Sequence, residues 1–156
     1  MVTLFRYNWQ VRDDWFAWCR EVPEEELTRQ RVGGMGTILK TLLHIVDVEQ
    51  SWIRALQGKP DIEYSFESYS TLAQVMELAR HCRAEVEPFI MNWRPDMESR
   101  VLTGTKHDGT PFSYTFGEVL RHVIVHEIHH IGQLSVWARE MGRAPVSANL
   151  VGRRLA

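Results

Sequence analysis

The stretch Thr115–Met141, TFGEVLRHVIVHEIHHIGQLSVWAREM, decides the fold. Thr115 and Glu118 fit a capping box, in which the Thr hydroxyl accepts from the third helical N–H and the Glu reaches back to the cap. Val119, Val123, Leu134 and Trp137 then recur at helical spacing, and Gly142 with the later Pro145 stops the helix near Met141. At about 100° per residue, His126 and His130 fall about 40° apart on that apolar stripe. Arg121 and Arg139 lie on the opposite side, and His122 and His129 fall outside the main apolar arc. A long helix with one apolar stripe must bury it against other elements.

Three further helices supply that partner surface. The first runs from about Leu4 to Glu21, with Phe5, Trp9, Phe16 and Cys19 near a 3.6 period. Pro23 and the acidic run Glu24-Glu25-Glu26 then predict a break or short turn. Gly33-Gly34-Met35-Gly36 leads into a second helix, about Thr37 to Gln57, which Gly58-Lys59-Pro60 ends. The third starts near Thr71 and carries Leu72, Val75, Met76, Ala79, Cys82 and Val86 on one stripe; Pro88 is expected to kink or end it. Between Glu98 and Phe116 the pattern moves toward alternation around Asp108-Gly109, which predicts a short hairpin with a two-residue turn. The expected fold is therefore all-α: a four-helix bundle with a short hairpin or loop insertion before the last long helix.

Length and composition set the outer bounds. A chain of 156 residues, 44% hydrophobic and 24% charged, is expected to form one domain over 1–156. A net charge of −2 and scattered Lys and Arg give no footprint for nucleic acid. The N-terminal residues lack the pattern of an export signal, and no apolar run approaches the roughly 20 residues that span a bilayer. Cys19 and Cys82 stand apart and read as reduced core thiols, so the expected compartment is the cytoplasm. Leu39 and Leu43 lie away from Trp52 on the second helix, an apolar surplus that suits a homodimer.

Two imidazoles four residues apart on a buried stripe can reach one metal ion, since such side chains stack on one helix face. Left without a metal, two rings in a water-poor place would each need partners for their nitrogens. His44 is the candidate third ligand: it lies on the second helix on a stripe with Thr37, Thr41, Val48 and Ser51, beside Ile45 and Trp52. His81 and His107 are its rivals. Three nitrogens would leave an open position, the layout of a reactive site. Asp47 and Gln133, each one turn beyond a histidine, are candidate partners for the rings, and Trp9 and Trp52 are candidate pocket walls. Imidazole must be neutral to coordinate, so affinity is expected to fall below about pH 6.5.

His126-Glu127-Ile128-His129-His130 also matches H-E-x-x-H, the zinc-protease signature. Its usual continuations are missing: Gln133 stands where the extended form has Gly, Val136 where it has a further His, and Glu140 lies too close on the same helix to return as a ligand. Glu127 nevertheless falls inside the apolar arc, where a bare carboxylate is costly. It is a candidate general base or a partner to the metal-bound groups, and otherwise a helix-edge residue.

Three segments in order resemble the DinB/YfiT-like superfamily of metalloenzymes: Tyr7-Asn8-Trp9, Leu43-His44-Ile45-Val46-Asp47-Val48-Glu49-Gln50-Ser51-Trp52, and His122 to Gln133. With the Asp108-Gly109 insertion, the likeness spans nearly the whole chain. It implies a four-helix bundle, commonly dimeric, with one divalent ion, nickel or zinc, held by residues that map to His44, His126 and His130. His129 is then the non-ligand of the double histidine. Glu127 and Ile131 depart from the common pattern, which bears on the substrate pocket. Relatives with known activity include transferases that use the low-molecular-weight thiols bacillithiol or mycothiol. The expected function is a metal-dependent enzyme acting on a small molecule, thiol-S-transferase-like. The alternatives are a metal-dependent hydrolase and a non-catalytic metal-binding stress-response protein.

Overall fold

The computed structural model describes residues 1–106 and 108–155. The elements run α1 (Val2–Arg20), α2 (Glu24–Thr28), α3 (Ile38–Leu56), α4 (Leu72–Met91), a 3-10 turn at Pro95–Met97, β1 (Val101–Thr105), β2 (Pro111–Thr115) and α5 (Phe116–Glu140). The chain is mostly helical with one two-stranded antiparallel sheet, in which Leu102 pairs with Tyr114 and Gly104 with Phe112. α3 packs against both α4 and α5, and α1 packs against the same two helices.

Local chemistry explains where the helices start. Thr37 caps α3 by accepting from the Lys40 N–H at 3.0 Å. Thr71 with Gln74, and Thr115 with Glu118, form full capping boxes on α4 and α5. The acidic run after Pro23 is a one-turn helix rather than a bare break. Three Glu side chains sit at its N-terminus, where the helix dipole favours them, and Leu27 is buried.

Two expectations need correcting. Pro88 does not end α4 where it stands; the helix continues to Met91. Pro88 and Ala84 are both exposed, so water can reach the Ala84 carbonyl that the ring deprives of its partner. In the hairpin, Asp108-Gly109 does not form a two-residue turn. The Gly109 N–H donates to the Lys106 carbonyl and Gly109 takes φ +84°, the left-handed position that follows a turn in a longer loop.

The apolar interior falls into two clusters. One gathers Trp15, Phe16, Leu42, Val46, Val75, Cys82, Ile131 and Leu134; the other gathers Phe5, Trp9, Ile53, Val86, Ile90, Leu120 and Val123. Along α3 and α5 the buried residues between these clusters are polar, Glu49, Gln50, Glu127 and His130, with His126 half-buried beside them. Leu39 and Leu43, the surplus that suggested a dimer, are buried within this chain. No helix among the described residues is long and apolar enough to cross a membrane.

Candidate metal centre

α3 contributes His44 and α5 contributes His126 and His130, and the three ring nitrogens converge. His126 Nε2 lies 3.1 Å from His44 Nε2 and 3.2 Å from His130 Nε2. Tetrahedral coordination with metal–nitrogen bonds of about 2.0–2.1 Å places ligand nitrogens about 3.3 Å apart, so the spacing fits. The protonation pattern fits as well. His130 Nδ1–H donates to Gln133 Oε1 at 2.7 Å, which leaves a lone pair on His130 Nε2. One proton on His126 Nε2 would have to serve both of its nitrogen contacts, whereas a cation between the rings serves all three.

The rings are neutral near pH 7. Burial pushes the His126 pKa down to about 4, and the nearby His130 and His44 add like-charge repulsion. His44 is lowered by burial and then by His130. His130 is lowered by burial, with Gln133 pulling the other way. Gln133 also donates its amide to His129 Nε2 at 3.0 Å, so one side chain holds both members of the double histidine. The loop before α3 holds Gln133 in turn. A Cβ on Gly34, which has φ +51°, would stand 2.5 Å from Gln133 Oε1 and 3.1 Å from Trp137. Only glycine lets the backbone approach this closely.

The other expected residues divide. His122 and His129 are exposed and outside the trio, as is His81 on α4; His107 lies outside the described residues. Asp47 faces Asp61 and Glu63 rather than a histidine, and burial together with those acids raises its pKa to about 6. Trp9 is buried, with its Nε1–H donating to Glu49 at 3.0 Å, while Trp52 is half-buried beside His122.

Glu127 is turned away from the trio and committed to Arg12. Arg12 Nε and Nη2 donate to its two oxygens at 2.9 and 2.6 Å. Arg12 Nη1 and Nη2 make a second fork to Glu49 at 2.9 and 3.0 Å. All three side chains are buried. Burial raises the Glu127 pKa against the pull of Arg12. Burial opposes the Arg12 charge too, but the two carboxylates hold its pKa well above the ordinary value. Sequence reasoning missed Arg12 and Glu49. The available signal was a charge on an apolar stripe: Arg12 sits between Trp9 and Phe16, and Glu49 between Val46 and Ile53.

Packed long helices with three converging imidazoles define a helical protein whose histidine group could hold a metal ion. The DinB family model matches residues 1–154, and the chain belongs to the DinB family. The uncharacterised protein YizA of Bacillus subtilis (strain 168) is 48% identical over 155 residues, covering 99% of this chain and 96% of that protein.

Proposed function

We propose that this chain is a metal-dependent thiol-S-transferase built on a four-helix bundle, with one zinc or nickel ion held by His44, His126 and His130. The observation that carries the reading is the 3.1 and 3.2 Å convergence of three neutral Nε2 atoms, one of them oriented by Gln133. A divalent ion bound there supplies Lewis acidity, lowering the pKa of a thiol at its open position toward neutrality. The overall transfer exchanges an S–H bond for an S–C bond; the leaving group departs with the bonding pair, and the thiol proton goes to solvent.

The chain's own residues have narrower tasks. His44, His126 and His130 present lone pairs, and Gln133 fixes the tautomer of His130. Glu127 is a partner of Arg12 and holds α5 to α1, so its proposed role is structural rather than that of a base.

The test is metal analysis of protein purified without a nickel column, followed by turnover of a low-molecular-weight thiol with a chlorinated aromatic electrophile. Close to one ion per chain, and activity lost in His126→Ala along with the metal, are the expected results. Full turnover in metal-free His126→Ala would overturn the reading. Stoichiometric metal with no turnover across thiols would reduce it to a metal-binding protein.

A further inference from the structure

A cleft of about 1090 Å³ lies between α1 and α4, lined by residues such as Phe16, Met76 and Arg80, and none of the three histidines borders it. The surface that does adjoin them is a row of rings. His122 stands one turn before His126 on α5, with centroids 5.8 Å apart. Trp52, two turns beyond His44 on α3, lies 5.8 Å from His122 and meets it edge-on. Tyr114 of β2 lies 6.3 Å from Trp52, and Phe112 stacks on Tyr114 at 5.0 Å and 15°. His122 is exposed and the other three are half-buried.

The far end of the row is built with care. Phe112 pairs across the hairpin with Gly104, and a Cβ on Gly104 would stand 2.6 Å from the Phe112 ring. The missing side chain lets the ring lie over β1. Trp52 and Tyr114 are backed by the second apolar cluster, so they can be contacted from outside without losing their support. A row of aromatic rings, two of them backed by the apolar core and beginning one ring from a histidine of the trio, is matched by a flat apolar group.

We propose that this row is a binding surface for an aromatic ring of the small-molecule substrate, whose donor or reacting atom lies at the three histidines. The proposal rests on the metal reading for the position of that atom, but the row itself does not depend on it. Offset or edge-on stacking on Trp52 and Tyr114 selects flat rings over saturated groups of equal bulk.

Calorimetric titration of the zinc-loaded full chain with three hydroxamates tests this, because all three share one metal-binding head. Benzohydroxamate is expected to bind about tenfold tighter than acetohydroxamate and several-fold tighter than cyclohexanecarbohydroxamate. His122→Leu and Trp52→Leu, at the end of the row nearest the trio, are expected to remove most of that preference while zinc content stays at the wild-type level. Equal affinity for the three probes, or a preference untouched in both variants, would overturn the proposal. If the protein holds no zinc, the metal reading fails separately, and the row is judged in metal-free protein with benzamide. Movement of the Trp52 indole N–H resonance, assigned through Trp52→Leu, would support it, and no movement would overturn it.

Discussion

Two polar clusters interrupt the apolar interior, and they occupy neighbouring positions on α5: His126 and His130 belong to one, Glu127 to the other. The Arg12 cluster is complete in itself. A guanidinium fork meets each carboxylate and the Trp9 indole adds a further donor to Glu49, so every charged group of the cluster has a hydrogen-bonded partner inside it. The histidine cluster is incomplete. Its nitrogens are brought within 3.1 and 3.2 Å of one another with too few protons to satisfy them, and no carboxylate among the described residues forms an ion pair with a ring. A buried polar group that satisfies itself holds helices together; one that does not is waiting for a partner from outside. The contrast separates structure from site more sharply than burial does, since Arg12 and Glu49 are the more deeply buried set.

The largest effects should come from deleting a member of each cluster. His126→Ala is expected to abolish metal retention through dialysis while leaving the fold intact, measured by metal analysis beside circular dichroism. A variant that kept its ion would erase the distinction. Arg12→Ala is expected to do the reverse in kind, costing about 3–5 kcal/mol in urea unfolding because two buried carboxylates lose their cation. Replacing Arg12, Glu49 and Glu127 together by apolar residues of similar size should restore much of that stability. No such replacement should restore metal binding to the His126 variant.

A smaller effect is expected at the link between metal and tautomer. Gln133→Leu should weaken zinc binding by about 10–100-fold, read by chelator competition, with little change in urea midpoint. An unchanged affinity would show that His130 needs no orienting partner.

The smallest effect concerns pH. An unfolded histidine titrates near 6.5, and folding holds His126 near 4, so between these values the unfolded chain binds more protons. Metal-free protein should therefore have the full His126 contribution above about pH 6.5 and lose it progressively toward pH 4. Glu127 works with the opposite sign, because its raised pKa makes the folded state the better proton binder. Urea midpoints at several pH values should show a shallower slope in His126→Asn than in the wild type. With His126 held near 4 by burial, protonation of that ring is expected to compete with metal only below pH 6.5 in the folded protein.

α5 was legible because its cap, period and stop all agreed: Thr115 with Glu118 at the start, the Val119–Trp137 stripe along its length and Gly142 at the end are each set by local sequence. The histidine pair was legible for the same reason, and His44 because it is the one histidine of its helix and on the inward side. The Arg12 cluster was not, since its members lie 37 and 115 residues apart and a helical period can place a charge on an inward stripe without naming its partner. The segment between α3 and α4 was equally hidden. It is fastened by single contacts, such as the Tyr64 hydroxyl donating to Gln50 at 2.5 Å and Lys40 lying over Phe66, that leave no pattern in sequence.

Residues 144–155, which form no helix or strand, lie along α1, and four of the contacts that hold them are made by their carbonyls. Arg6 donates to Leu155, Tyr7 to Ala148, Gln10 to Arg154 and Trp18 to Ala144, at 2.6–3.2 Å. A carbonyl is the same whatever side chain follows it, so at these four points α1 reads the path of the segment; its letters are read where Arg153 pairs with Asp14 at 3.0 Å and lies over the Tyr7 ring, and where Val146 and Leu155 pack on the first apolar cluster. Much of the information that places the segment is written at the other end of the chain. Replacing Ser147, Asn149, Leu150 or Val151 is therefore expected to disturb the segment less than replacing Tyr7, Trp18 or Arg153.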